Sequence, residues 1–307
     1  MFGEEHASTA DSYYCLGNTQ HSLGNYKLAL DSQQRALDIC LTLFGEKHAE
    51  TAESYHNLGV TQHSLGDYKS ALDSKQHALD IRLKSLFGEE HADTADSYDS
   101  LAVTQHSLGD YKSALDSNEH ALDTRLKLFG EEHASTAVSY YGIGVTQLSI
   151  GDLKSALYSH QRALDIRLKL FGEEHESTGD SYHNLGVTQH SLSDFKSALD
   201  SNQRALDIRL KLFGEEHASS ALSYYSIGVT QHSLGDYKSA LASQQRALNI
   251  RLKLFGEEHA STADSYYGLG VIQDSLGDIK SALQSYLRSR HIRFKLGEEN
   301  TQPQKEF

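Results

Sequence analysis

Eighteen histidines and a recurring Phe-Gly-Glu-Glu-His string are the features of this chain best suited to chemistry. The string begins at Phe2, Phe44, Phe87, Phe129, Phe171, Phe213 and Phe255, with Lys47 replacing one glutamate in the second copy. Carboxylates beside imidazole suggest a divalent metal, but zinc needs its ligands within about 2.0–2.2 Å of one ion. Equivalent residues in neighbouring copies stand about 8–10 Å apart, one helix spacing, so a column of histidines cannot converge. No His-Glu-x-x-His is present, and no metal site is expected. Serine nucleophiles fare no better. Every Ser-His-Asp combination recurs, whereas an enzyme needs one dry, preorganised constellation. Tyr141-Gly142-Ile143-Gly144 has no strand before it, and no Gly-x-x-x-x-Gly-Lys exists. No catalytic residue, cofactor or small-molecule substrate is expected.

The elements that position these residues follow from the period. The copies are 42 residues apart, with 43 between Phe44 and Phe87, where Ser85 is the extra residue. Repetition at this step marks a solenoid, which works as an extended surface. In the second copy Ala52, Tyr55, Leu58, Gly59 and Gln62 share one helix face. Gly66 suits the left-handed end of that helix, and Asp67 suits the cap of the next. Tyr68, Ala71, Leu72, Ala78, Leu79, Arg82, Leu83 and Leu86 form the second stripe. Each unit is therefore expected to be an antiparallel helix pair. The fifth has Ser193 where the others have a turn glycine, which predicts either slight strain or a different cap there. The column Gly17, Gly59, Ala102, Gly144, Gly186, Gly228, Gly270 sits in mid-helix, where glycine costs up to about 1 kcal/mol. Its recurrence predicts close approach of a neighbouring helix, as do the columns beginning at Ala29 and Ala36. Strand signals are absent.

Bulk properties narrow the function. The apolar fraction is 38% and the mean hydropathy −0.52, and no run approaches the length of a spanning helix. The start carries no signal-peptide pattern, and Cys15 and Cys40 form no framework, so a reducing cytoplasmic setting is expected. A net charge of −14 argues against nucleic acid, which is bound through phosphate neutralisation. The same charge leaves basic or apolar peptides as easier partners than acidic ones.

Tyr55, Leu58-Gly59, Gly66, Ala71 and Ala78 resemble the signature of the tetratricopeptide repeat. The 42-residue form, with Ala78-Leu79-Asp80-Ile81-Arg82-Leu83-Lys84 followed by Phe87-Gly88-Glu89-Glu90-His91, resembles kinesin light chains and the nephrocystin type. The resemblance spans about residues 2 to 296. It implies an all-α, right-handed superhelical solenoid of seven antiparallel helix pairs (residues 1–296) followed by a short polar tail (297–307). The chain departs from the family in two ways. Ala, or Glu176, follows the loop histidine where proline is usual. Of the paired asparagines of light chains, only Asn57 and Asn184 remain. The heptad region that joins a light chain to its motor is missing, which counts against a motor-adaptor role. Similar arrays also occur as sensing regions of nucleotide-binding switch proteins, and a start at a unit boundary suits a detached array of that kind.

The resemblance implies a non-catalytic scaffold that binds peptides or partner domains on its concave face, lined by first helices. The candidate contacts are Tyr14, Asn18 and His21; His56, Asn57 and His63; Asp99 and His106; Tyr141; His183, Asn184 and His190; Tyr225 and His232; and Tyr267. The column Asp11, Glu53, Asp96, Val138, Asp180, Leu222, Asp264 supplies carboxylates. Basic or aromatic segments are the expected protein or peptide ligands, with no membrane or nucleic acid involved. In the last unit Arg288, Arg290, His291, Arg293 and Lys295 make the second helix basic, as suits a terminal capping repeat or, alternatively, a docking patch for an acidic partner.

Overall fold

The computed structural model describes residues 6–297, so Phe2 and residues 298–307 of the expected tail lie outside it. The described residues are all-helical, with no strand. They divide after Asp152 into two compact units. The first contains α1 (Ala7–Ser22), α2 (Tyr26–Phe44), α3 (Ala49–Ser64), α4 (Tyr68–Ile81), α5 (Ala92–Ser107), α6 (Tyr111–Phe129) and α7 (Ala134–Ile150). The second contains α8 (Leu153–Phe171), α9 (Glu176–Ser191), α10 (Phe195–Phe213), α11 (Ala218–Ser233), α12 (Tyr237–Phe255), α13 (Ala260–Ser275) and α14 (Ile279–Lys295).

Within each unit consecutive helices pack as antiparallel neighbours. Odd-numbered helices also touch the next odd-numbered helix, as α1, α3, α5 and α7 do, and as α9, α11 and α13 do. Among the described residues of each unit, no two even-numbered helices lie in comparable contact. Each unit thus has a tight inner row of first helices and a splayed outer row of second helices.

The turn inside each pair is a chain-reversing cap. In the second repeat Gly66 has φ 80°, its N–H bonds the His63 carbonyl at 2.9 Å, and the Asp67 N–H bonds the Gln62 carbonyl at 3.0 Å. These bonds satisfy carbonyls that a helix end otherwise leaves open. Asp67 then caps α4 by accepting from the Ser70 N–H. Ser193 occupies the same turn at φ 63°, the single non-glycine residue of positive φ among those described. The expected strain is therefore present, since a Cβ there crowds the following carbonyl.

The joint between pairs is built from the Phe-Gly-Glu-Glu-His string. His48 Nδ1 accepts the Glu50 N–H at 3.2 Å and so caps α3, while its ring stacks on Phe44 at 4.5 Å. The Thr51 hydroxyl donates to the Gly45 carbonyl. The same cap recurs at His91, His133, His175, His217 and His259. Among the described residues no three His, Cys, Asp or Glu side chains gather as a metal would need.

The extra residue near Ser85 is absorbed as one wide π turn, Arg82–Leu86, after α4. One added residue inside a helix widens a turn of this kind instead of breaking the helix. The alanine columns are the packing floor: Ala29, Ala71, Ala114, Ala198 and Ala240 are fully buried. The glycine column marks close approach, as expected. A Cβ on Gly59 would lie 2.7 Å from Lys75 Cγ, and one on Gly270 would lie 2.6 Å from the Tyr286 ring.

Candidate functional site

The inner row carries its side chains on one face of each odd-numbered helix. In α1 these are Asp11, Tyr14, Asn18 and His21, and the later copies follow at the same spacing. Three columns support that face, and each changes what the face offers to a ligand.

The first support is a column of buried arginines from the outer helices. Arg82 reaches inward to Glu53 Oε2 at 2.6 Å and onward to the Ser97 hydroxyl of the next first helix at 2.6 Å. Arg125 holds Asp96 at 2.6 Å, Asp99 and the Ser139 hydroxyl. Arg209 holds Asp180 at 3.0 Å and Ser223 at 2.8 Å, and Arg293 holds Asp264. Each arginine therefore staples its own first helix, and Arg82, Arg125 and Arg209 reach the following one as well. Where Leu222 replaces the acid, the Arg251 guanidinium lies over the Tyr225 ring at 4.9 Å. Charge-assisted pairs of this kind, with the arginine buried, are strong but expensive to break.

The second support is the histidine column at the ends of the first helices. The His21, His106, His190 and His232 Nε2 atoms lie 2.8–3.1 Å from the hydroxyls of Ser64, Ser149, Ser233 and Ser275. His63 uses the Thr104 hydroxyl at 3.3 Å. Each ring also leans on an aromatic residue of the next helix, such as Tyr68 beside His63 at 5.0 Å. Burial pushes the His63, His106 and His232 imidazoles below their ordinary value.

The third support is a polar residue that passes the glycine column from behind. Gln33, Lys75, Asn118, His160, Asn202 and Gln244 occupy it, all buried. Lys75 is the only cation among them. Its ammonium donates to the Ser100 carbonyl at 2.9 Å and the Thr104 hydroxyl at 2.8 Å, and burial lowers its pKa to about 8. Asn118 donates to Thr146, and Gln244 to the Tyr225 carbonyl. The oxygens of Gln33, Asn202 and Gln244 are buried without a protein partner. Asn202 borders a small cavity, about 10 Å³, shared with Val187, His190, Tyr225 and Val229.

The residues expected to contact a ligand therefore divide. Tyr267 is exposed and Tyr14, His56, Tyr141 and Tyr225 are half-buried on the inner row. Tyr14 donates to Glu53 across to α3. Asn18 accepts from Gln33. Asn57 and Asn184 each donate to a carbonyl one turn back in their own helix, at Glu53 and Asp180. Two expectations need correction. His183 is buried, 7% exposed, and burial with Arg209 nearby drives it down to about 3, so it is part of the packing. Asp99 is tied to Arg125, and burial outweighs that cation to raise its carboxyl to about 6. Burial lowers His56, with Arg82 adding to it. The arginine staple was missed by sequence reading. Its one signal was an arginine recurring inside an apolar stripe.

Comparison with known proteins agrees with this architecture. The family description "Tetratricopeptide repeat" matches residues 8–84, 76–127, 118–169, 156–211, 202–253 and 219–293. A search of curated proteins gives no match. Among solved structures, a putative kinesin light chain from Podosopora anserina with nearly identical TPR-like repeats is 21% identical, at a TM-score of 0.59. That match covers 67% of this chain and 98% of that one. The apo form of RapI is 17% identical over 94% of this chain and 99% of its own, at a TM-score of 0.74. The Rap conjugation gene regulator of plasmid pLS20, solved with the Phr* peptide, is 13% identical at a TM-score of 0.63. It matches 92% of this chain and 72% of its own. At these identities the likeness is one of fold.

Proposed function

The chain belongs to the tetratricopeptide repeat family, and from that premise we propose that it is a non-catalytic scaffold that binds a peptide or partner domain along its inner row. The observation that carries this reading is where the copies differ. The joints, caps and alanine floor are repeated almost unchanged, while the inner columns vary among Tyr, His, Asp, Ser and Gly from one first helix to the next.

The ligand preference follows from what the face leaves available. Glu53, Asp96, Asp180 and Asp264 are already paired inside the protein. A preference for basic segments therefore loses most of its warrant. Aromatic and apolar side chains are better matched, through Tyr267, Tyr225 and the exposed Val103 and Val138. The Phr* peptide in complex with the Rap regulator of pLS20 supports the class of ligand only. No helix among the described residues is long and apolar enough to cross a membrane. Both cysteines are free, which suits a reducing cytoplasm.

Panning a random peptide display library on the purified chain tests the reading. Peptides with an aromatic or aliphatic anchor should emerge, and Tyr267→Ala should weaken them about tenfold, the size of one interface anchor. Recovery of no peptide, or of binders indifferent to inner-row variants, overturns it.

A further inference from the structure

One joint departs from the ion pair that closes four others. At those four the second glutamate of the loop meets a lysine 37 residues further on, near the end of the outer helix. Glu90 holds Lys127 at 3.2 Å, and Glu174, Glu216 and Glu258 hold Lys211, Lys253 and Lys295. At the joint before α3 the loop position is Lys47, and the lysine 37 residues on is Lys84. The pair has thus become two cations. Lys84 turns back to Asp80 at 2.7 Å, one turn away in the same helix. Lys47 is exposed and has no ion pair or hydrogen bond to a described residue.

Two further departures fall at the same place. Where this repeat has Tyr55 and His77, later repeats have a tyrosine whose hydroxyl accepts from an arginine. Arg204 donates to Tyr182 at 3.2 Å, Arg246 to Tyr224 at 3.1 Å and Arg288 to Tyr266 at 2.9 Å. The shorter imidazole of His77 leans on the Tyr55 ring at 5.1 Å instead, and the Tyr55 hydroxyl bonds no described residue. The π turn Arg82–Leu86, which carries Lys84, widens the end of the outer helix in the same repeat. Between these groups lies a cavity of about 380 Å³, lined by Glu46, Lys47, Tyr55, His77, Ile81 and Lys84. It is built from the joint, α3 and α4, and none of the inner columns reaches it.

The broken pattern defines the chemistry that fits. At the four closed joints a carboxylate lies against the lysine, and here the carboxylate is missing and the cation doubled. The volume falls within the range of roughly 300–1,000 Å³ that small-ligand sites occupy. Two ammonium groups and the Tyr55 hydroxyl are its donors, and the Tyr55 ring and Ile81 are its apolar wall. Glu46 and the nearby Asp80 also border it, which disfavours a doubly charged group such as phosphate. We propose that this cavity binds a small organic carboxylate. Its carboxyl group lies between Lys47 and Lys84, in the role of the glutamate at the other joints, and its apolar body lies against Tyr55 and Ile81. The site is separate from the inner row and stands whether or not a peptide binds there.

Saturation-transfer NMR on the full chain tests this, with acetate, hexanoate and benzoate as probes and benzyl alcohol and inorganic phosphate as controls. Hexanoate and benzoate should bind saturably, acetate about tenfold more weakly for want of an apolar body. Benzyl alcohol should not saturate, and phosphate at equal concentration should not displace benzoate. Lys47→Glu restores the residue of the other copies and the pair to Lys84, so it keeps the fold. It should weaken benzoate at least about tenfold, the size of one charge-assisted hydrogen bond. Lys127→Gln, at a closed joint, should change nothing. Failure of all three carboxylates to bind, acetate as tight as benzoate, displacement by phosphate, or binding that survives Lys47→Glu overturns the proposal. Circular dichroism of each variant checks that helix content is unchanged.

Discussion

The inner rows of the two units are built on the same columns and differ in how densely charge fills them. In the first unit the row is ionic: Arg82 with Glu53, Arg125 with both Asp96 and Asp99, and Lys75 buried beside neutral partners. In the second Arg209 and Arg293 each keep one acid, Asp180 and Asp264, while His183 and Asn202 are buried, Gln244 stands in place of Lys75, and Tyr225 lies under Arg251. The difference teaches that a repeat fold separates its tasks by column. Glycine, alanine and the loop histidine hold the pairs together, so the inner positions are free to change character without changing the backbone.

Acid should produce the largest separation between the units. His160 and His183 are held down to about 4 and about 3 by burial. A folded pKa below the unfolded value means stability that is present at neutral pH and lost as pH falls below about 6.5. Between pH 6.5 and 5 each should cost roughly 2 kcal/mol. In the first unit burial also lowers His56, His63 and His106, but Asp99 has the opposite sign, because its raised pKa of about 6 makes acidification favourable there. Hydrogen exchange at pH 5 should therefore show the second unit opening first. Equal loss in both units would break the comparison.

Next in size is the double ion pair. Arg125→Met leaves Asp99 buried without its cation and should cost about 3 kcal/mol in urea unfolding. Arg209→Met, which frees only the half-exposed Asp180, should cost less. Equal costs would mean that the second carboxylate adds nothing.

Lys75 sharpens the contrast at alkaline pH. Its folded pKa of about 8 lies below the unfolded value of about 10.4, so the unfolded chain holds more protons between the two and stability rises with pH in that window. The gain from pH 8 to 9.5 should be about 2 kcal/mol, and Lys75→Gln should abolish it. The smallest effect belongs to the turn of the fifth repeat. Ser193→Gly should stabilise by about 1 kcal/mol by removing a left-handed serine.

Much of the fold was legible because each element carries a local signal. Helical spacing from Ala52 to Gln62, turn glycines and capping Asp67 agree with one another in most copies, Ser193 and Asn25 being exceptions. Ser85 announced an insertion, though not that a π turn would absorb it. The inner face was legible as a face. What was not legible is which of its residues are already engaged. Asp96 and Asp99 meet Arg125 from 29 and 26 residues away, and His21 meets Ser64 from 43 away. A helical period shows direction and not partners, so His183 and Asp99 read as surface contacts when packing had already claimed them.

The central claim is that a peptide or partner domain binds along the variable inner row. Hydrogen exchange of the full chain with and without a peptide selected by display measures this directly. The account predicts added protection in the odd-numbered helices, centred on the turns that carry Tyr225 and Tyr267. Protection confined to the even-numbered helices or the Phe-Gly-Glu-Glu-His joints would contradict it.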